Sequence, residues 1–543
     1  MVNCDDEDGT HAPDNEDNKI NGAPDPEDIA PLDVRRVAGK PVAPGGWRAF
    51  LEVSAADAAR IRIFDTRAAG AAEVVGPAAG RSFQLPSLGF LTREFGMEAV
   101  MYPNVSFTGE ISITLRIVKT DGTEISESAM VRVAPWVQFS HWDETEEAYV
   151  VETTDNAAFR ADLSAAVTGA GFAAPRTTPN HDRWVQDVME IGYTSMPKAG
   201  AQSTWNLPVV LRTANDRSLF PEWRSDLDEY PREHLLAPNY GWVEAMPQTT
   251  GSSLDSFGNL ECSPPFEHSV THKKYPFGRI VYGTHSTAAQ SIRQEVREFL
   301  DAQTVQEPFP IDTGWLVVGH VDEVVSFCPM KNAPKKFKVL LASPGEAVAI
   351  LTQLQTAGQG GARLFAPSNA RPGGIRFDAG FTLASRRAAY PLETANQVLG
   401  DAAFMTVQTD TQRHIDDIAA ILTTELGLDP SDFIHLPVLF KEEGPGLGIY
   451  VAYTPGVVNM LHLTKSDHTV RVCVPRPFGP VSGNVDRYAR KVRDLLGPVA
   501  TTGVDVVFID DFVTYHVAYG EIHCGTNSKR RPRTDFWWWQ FEP

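Results

Sequence analysis

Positive charge is scarce in this 543-residue chain: 48 Lys and Arg face 69 Asp and Glu, a formal net charge of −21 at pH 7. Non-specific nucleic-acid binding, which needs clustered cations to displace the counterions of phosphate, is disfavoured on that ground. Cysteine is also rare. Cys4, Cys262, Cys328, Cys473 and Cys524 are scattered and odd in number, and they form no CxxC pair. Such usage suits a reducing compartment with at least one free thiol rather than a disulfide framework. No apolar run is long enough to span a bilayer, and the acidic start has no basic-then-apolar leader. A cytoplasmic location away from membranes is therefore expected. A glycine-rich phosphate loop is missing too, so nucleotide-dependent chemistry has no support.

What is present is the composition of a globular protein, 42% hydrophobic and 22% charged, in a chain long enough for two domains or more. Its negative field suits cationic partners, either metal ions or arginine-rich polypeptides. Residues 1–33 are rich in Asp, Glu and Asn and poor in large apolar side chains. They read equally as a disordered acidic arm or as a loop that wraps a hard cation. The run 3–9 (NCDDEDG) alternates oxygen ligands ahead of a glycine, but it lacks the flanking helices and closing glutamate of an EF-hand loop. Short alternating runs follow at 50–53, 60–64, 99–102, 110–115 and 129–133, separated by Gly, Pro, Asp and Asn. That spacing predicts an antiparallel sandwich of roughly immunoglobulin size, with 134–136 (APW) as the exit to the next domain.

Beyond Trp136 the pattern is mixed. Helical periodicity at 156–168, 287–302 and 413–428 alternates with apolar strand runs at 209–211, 279–282, 315–318 and 338–341. This is α/β or α+β, without an exact internal repeat. Three stretches carry chemistry: 182–190 (DRWVQDVME), 319–323 (GHVDE) and 520–527 (GEIHCGTN). In the third, a strand-like run at 513–517 leads to a thiol on a tight turn, where glycine permits close backbone approach. His320 and Asp322 are two residues apart, so on a strand end they share a face. Two carboxylates can grip the N–H fork of a guanidinium, a thiol supplies a nucleophile, and an imidazole moves protons. Each alone has an ordinary structural explanation: a small core cysteine, a satisfied core histidine, surface carboxylates.

Further motifs join these three: 2–5 (VNCD), 132–136 (RVAPW), 183–193 (RWVQDVMEIGY), 254–265 (LDSFGNLECSPP), 275–280 (YPFGRI), 318–323 (VGHVDE) and the tail Trp537, Trp538, Trp539. Together, over nearly the whole length, the sequence resembles the peptidylarginine (protein-arginine) deiminase family. The resemblance implies an α+β multidomain architecture. Residues 1–133 would be a calcium-binding immunoglobulin-like β-sandwich similar to the family's middle domain, and 134–543 a five-bladed α/β propeller of the pentein, guanidino-group-modifying type. The family's additional N-terminal domain is expected to be absent.

The implied reaction is calcium-dependent hydrolysis of peptidyl arginine to peptidyl citrulline and ammonia, through a thiouronium on cysteine. Carried over by motif, Cys524 attacks the guanidinium carbon, His320 protonates the departing ammonia and then helps activate water, and Asp187 and Asp322 hold the guanidinium nitrogens. Trp184 packs along the arginine stem, and Arg217 binds the substrate backbone. The neighbouring carboxylates would raise the thiol's pKa, and a protonated His320 and the substrate cation would lower it.

For calcium, the resemblance implies side-chain ligands Gln186, Glu190 and Glu261 with the carbonyls of Phe257 and Leu260. In the first domain it implies Asn3, Asp5, Asp14, Asp17 and Asp28, with Glu7 in place of an aspartate. A neighbouring site departs from the pattern. Val188 and Arg212 stand where the family has carboxylates, with Thr213 and Asp216 nearby, which predicts one calcium ion fewer and a guanidinium in its place. Asn215 replaces a companion arginine, and Ala518 a residue that is often larger. Arginine-containing proteins or peptides are the expected substrates, with a monomer or homodimer as the quaternary state. Two alternatives are a deiminase of a small guanidine, such as free arginine or agmatine, and a non-catalytic calcium-binding scaffold.

Overall fold

The computed structural model describes residues 1–21, 25–180, 182–198, 204–216, 227–248, 251–285, 291–366, 390–391, 393–444 and 446–540. The first part of the chain forms two four-stranded antiparallel sheets. One is ordered Ala30–Arg35, Thr92–Ala99, Ile61–Phe64, Glu73–Val75. The other is ordered Ser82–Gln84, Arg48–Glu52, Glu110–Val118, Glu124–Arg132. Alternation explains the pairing. Phe95, Ile61, Ile63, Leu51, Ile111 and Ile113 point into one shared core, whereas Glu124–Arg132 is exposed along almost its whole length. The run expected at 99–102 is shifted: the strand is Thr92–Ala99, and Tyr102 leaves it to pack edge-on against Phe299, with ring centroids 6.4 Å apart.

The rest of the chain repeats one arrangement five times among the described residues. In each unit a central strand pairs antiparallel with a first strand and parallel with a third. First and central strands are Met189–Pro197 with Thr204–Arg212, Leu260–Cys262 with Ile280–Thr284, Val325–Pro329 with Phe337–Ser343, Leu461–Thr464 with Val470–Pro475, and Thr526–Arg530 with Thr145–Glu152. The third strands, in the same order, are Gly241–Val243, Phe309–Asp312, Phe433–Pro437, Val504–Ile509 and Arg176–Pro179. A parallel partner needs a crossover, and four of the five contain an α-helix: Gln294–Ala302, Pro344–Thr356 with Ala402–Leu426, Arg487–Leu496 and Ala157–Gly169. The last unit is made from both ends of this region, with the strand after Cys524 closing onto Thr145–Glu152.

The central strands are nearly continuous apolar runs because both faces are covered, as in Phe337–Ser343 and Val470–Pro475. The repeat lies in topology rather than sequence, which is why the residues alone show none. The helix expected at 413–428 starts at Ala402, where Asp401 caps the amides of Ala403 and Phe404, and ends at Leu426 with Gly427 in the left-handed region at φ +60°. The runs at 315–318 and 513–517 form turns instead of strands. Trp315 stacks on His414, and Tyr515 and His516 both donate their amides to the Asp511 carbonyl. Their apolar residues are buried against neighbours rather than along a ladder. Among the described residues no helix is long and apolar enough to cross a membrane.

The two parts share a core. Trp136 and Tyr102 both pack on Phe299, and Gln303 accepts from the Trp136 amide at 3.0 Å and donates to the Pro103 carbonyl at 2.9 Å.

Candidate active site

The five first strands begin at Met189, Leu260, Val325, Leu461 and Thr526. Residues two or three positions before those starts include Asp187, Gly258, Asp322, Asn459 and Cys524. The repeated topology thus brings five short turns together, one from each unit.

Cys524 is 5% exposed. Its sulfur lies 3.5 Å from Asp322 Oδ2 and accepts from Asn459 Nδ2 at 3.1 Å. Burial, then the Asp322 and Asp187 carboxylates, push the thiol well above its usual range, opposed by the Asn459 amide. The turn itself is fixed from two sides. Asn459 Oδ1 accepts from the His523 and Cys524 amides at 2.9 and 3.2 Å, and the Cys524 carbonyl accepts from the Gln186 amide at 3.2 Å. Gly525 is required here, because a Cβ would fall 2.2 Å from the Tyr515 ring.

His320 follows Gly319, whose φ of +87° suits only glycine. The amides of both residues donate to Glu323 Oε1, at 2.9 and 2.8 Å. Glu323, read from sequence as a surface charge, is therefore a half-buried clasp for this turn, and desolvation pushes it up to about 8. His320 Nε2 lies 2.7 Å from the Ser253 carbonyl. A carbonyl only accepts, so Nε2 carries the proton and Nδ1 is the nitrogen left for chemistry. Nδ1 sits 3.8 Å from Asp187 Oδ1. Gly258 is wedged against both groups: a Cβ there would lie 2.5 Å from His320 Nδ1 and 3.3 Å from Asp187 Oδ1. Asp187 rides on the four-residue helix Val185–Val188, entered through Trp184.

These groups border a cavity of about 310 Å³ whose walls are mostly apolar. Trp184 forms one side, against Gly520, where a Cβ would meet the indole at 2.4 Å. Asn215 and Ala518 are also on the wall. Arg217 lies outside the described residues. A slot with an indole wall, the Asp187 carboxylate on its lining and Asp322 beside the thiol at its end is shaped for an apolar stem with a planar cation at its tip.

Two site residues had no signal in the sequence reading. Asn459 lies in the apolar run 456–461 (GVVNML), and only its place before a first strand reveals it. His523 was within the quoted motif without a role; its Nδ1 is 2.9 Å from Asp322 Oδ2 and orients that carboxylate.

Behind the turn lies a second, smaller cavity of about 30 Å³, lined among others by Gln186, Glu190, Leu260 and Glu261. Gln186 donates to Glu190 Oε2 at 2.8 Å and to the Phe257 carbonyl at 3.3 Å. Burial raises Glu190 to about 8 and Glu261 well above the carboxylate range. Two buried carboxyl groups, an amide and peptide carbonyls form an all-oxygen donor set that fits a calcium ion. At the neighbouring position Val188 is buried, and Arg212 pairs with Glu229 at 3.0 Å and with Glu244. Thr213 donates its hydroxyl to the Asp255 carbonyl at 2.8 Å.

In the first domain Asn3, Asp5, Asp14, Asp25 and Asp28 are buried. Asp5, Glu7 and Asp28 converge within 4.8 Å, as do Glu7, Asp14 and Asp25. Asp17 instead accepts from the Lys19 amide and the Asn21 side chain, both at 2.8 Å. Burial raises Asp14, Asp25 and Asp28 to about 6, 7 and 8. This donor set also fits hard cations. The loop docks on the second part of the chain: the Asn239 amide donates to Asp5 Oδ2 at 2.7 Å, the Trp242 amide to the Cys4 carbonyl at 2.8 Å, and the Trp205 indole to Asp28.

Family models match both regions. Residues 1–119 match the protein-arginine deiminase middle domain, and residues 123–540 match the protein-arginine deiminase model. The human protein-arginine deiminase type-3 is 33% identical over 560 residues, covering 100% of this chain and 77% of the relative. The mouse type-4 protein is 33% identical over 566 residues, covering 100% and 78%. The human type-4 protein is 32% identical over 561 residues, covering 100% and 77%. The chain belongs to the protein-arginine deiminase family.

Proposed function

We infer that this protein hydrolyses the guanidinium of peptidyl arginine to citrulline, releasing ammonia. The observation that carries this reading is the meeting of Cys524, His320, Asp187 and Asp322 at one end of an apolar slot. Asp187 and Asp322 receive the guanidinium nitrogens, which places the guanidinium carbon before the Cys524 sulfur. The bound cation offsets the two carboxylates that hold the thiol protonated, and the Asn459 amide stabilises the thiolate as it forms. As sulfur bonds to the guanidinium carbon the thiol proton passes to His320 Nδ1, and a neutral tetrahedral adduct forms. His320 Nδ1 delivers a proton to one nitrogen, the C–N bond breaks, and ammonia leaves a thiouronium. Water then adds to the same carbon, giving a proton to His320, and the C–S bond breaks. Citrulline and the thiol are released, and the balance is one water consumed and one ammonium formed.

Calcium is the implied cofactor, held by Gln186, Glu190, Glu261 and the carbonyls of Phe257 and Leu260, and in the first domain by the cluster around Asn3, Asp5, Glu7, Asp14 and Asp28. Bound there, it supplies positive charge that orders the turns carrying Asp187 and Cys524. The ion pairs of Arg212 with Glu229 and Glu244 support a fixed guanidinium in place of the neighbouring ion. The fivefold repetition, with its last unit closed by both chain segments, supports a five-bladed α/β propeller over 134–543. The paired antiparallel sheets support an immunoglobulin-like sandwich over 1–133.

A small-guanidine substrate is the alternative that Asn215 and Ala518 favour, since both leave the mouth of the slot open. Citrulline release from a blocked arginine peptide and from free arginine, each with calcium and with chelator, separates the readings. The expected outcome is calcium-dependent turnover of the peptide. Turnover of free arginine alone would move the substrate to the small-guanidine class.

A further inference from the structure

We propose that the small cavity behind the catalytic turn is also a site for a nitrogen-preferring divalent cation of the zinc type, held by His141, His523 and Glu261. These three come from separate parts of the fold: the segment after strand Val137–Gln138, the residue before Cys524, and strand Leu260–Cys262. One ligand atom from each lies within 4.8 Å of the others, His141 approaches Glu261 Oε2 to 3.9 Å through its Nδ1, and all three residues line the 30 Å³ cavity.

The imidazoles are already prepared for a metal. His141 Nδ1 is 3.0 Å from the Phe327 carbonyl and His523 Nδ1 is 2.9 Å from Asp322 Oδ2. Both partners accept, so both Nδ1 atoms carry hydrogen and the two Nε2 atoms keep their lone pairs. Neither Nε2 makes a hydrogen bond among the described residues. A histidine whose other nitrogen is given to a carbonyl or carboxylate is the usual outer-shell arrangement of a metal ligand. His462 stacks on His141 with ring centroids 4.0 Å apart and fixes the plane of its ring. Arg530 shares the cavity, but its guanidinium donates to the carbonyls of Asp143 and His462 and to the Thr145 hydroxyl.

Two imidazole nitrogens and a carboxylate suit zinc, cobalt or nickel, whereas calcium takes oxygen alone. A consequence that rests on the calcium reading above is competition, since both ions would use Glu261. A zinc-type ion would also fix His523, next to the nucleophile, and would therefore inhibit.

The test is cobalt(II) titration of the calcium-free full chain followed by visible absorption, on the wild type, Cys524→Ala and His141→Asn, with zinc displacement read by calorimetry. The expected result is one cobalt per chain with a low-symmetry nitrogen/oxygen spectrum, retained in Cys524→Ala and weakened about 10-fold or more in His141→Asn. No spectrum beyond the hydrated ion, an unchanged affinity in His141→Asn, or a sulfur charge-transfer band lost with Cys524 would overturn the site. If His141→Asn does not fold by thermal melting, X-ray absorption of the zinc-loaded wild type decides. Two imidazoles in the first shell are expected, and an all-oxygen or sulfur-containing shell contradicts the proposal. Excess calcium should bleach the cobalt spectrum, and persistence of the spectrum would overturn the sharing of Glu261. None of these readings uses turnover, so they stand or fall apart from the deiminase assignment.

Discussion

Asn459 donates to the Cys524 sulfur and accepts from two amides of the same turn, so it sets both the position and the charge of the proposed nucleophile. Asn459→Ala should lower kcat roughly 10–100-fold, the worth of a hydrogen bond to a charged group, about 1.5–3 kcal/mol. It should also slow alkylation of Cys524 by neutral iodoacetamide, because the thiolate loses a donor. Asp322→Asn should act in opposite directions on the two readouts. Alkylation accelerates as a negative neighbour of the sulfur is removed, whereas citrulline formation falls by the equivalent of about 2–5 kcal/mol as the guanidinium loses a charged partner. Equal slowing of alkylation in both variants would mean that the turn had merely been disordered. At this scale Cys524, His320, Asp187 and Asp322 were legible through their motifs. Asn459 was not, because an amide in an apolar run is chemically silent until its register with a strand is known.

Turns rather than strands carry the site, and their glycines are the sensitive positions. Gly258→Ala would place a Cβ 2.5 Å from His320 Nδ1. The expected result is a loss of activity of about 10²-fold from displacement of the imidazole, with the thermal midpoint changed little because Gly258 lies outside the sheets. A large fall in stability with activity per folded molecule intact would contradict this. The central strands were legible because both faces are covered and they read as unbroken apolar runs. The runs at 315–318 and 513–517 read the same way and are turns, since periodicity records burial and not pairing. The fivefold unit escaped the sequence reading for a related reason: topology repeats while the residues do not.

Across the whole molecule, the acidic loop joins the two parts through Asn239, Trp242 and Trp205. Its buried carboxyls Asp14, Asp25 and Asp28 are raised to about 6, 7 and 8, above the roughly 3.9 of an unfolded chain. Between about pH 4 and 8 the folded state therefore holds more protons than the unfolded one. The contribution of this cluster is full below about pH 4 and declines as pH rises. In chelator the thermal midpoint should fall over that range through this cluster, and calcium, which takes the deprotonated form, should restore it. The gap between calcium and chelator midpoints should then widen with pH, and a constant or narrowing gap would count against a metal site there. Arg212 bears on ion number. Calcium counted by equilibrium dialysis should rise by about one ion in Arg212→Asp, and an unchanged count would remove the guanidinium from its assigned place. The acidic loop was legible as a cation wrap or a tail but not as one of them, because the contacts that order it come from residues some two hundred positions away.

The most direct test of the account is citrulline and ammonia release from a blocked arginine peptide, measured in calcium for the wild type and Cys524→Ala. The account requires both products in equal amounts from the wild type and a loss of about 10³-fold or more in the variant. Equal turnover by the two proteins would contradict the assignment of Cys524 as nucleophile, and no turnover by either would contradict the reaction itself.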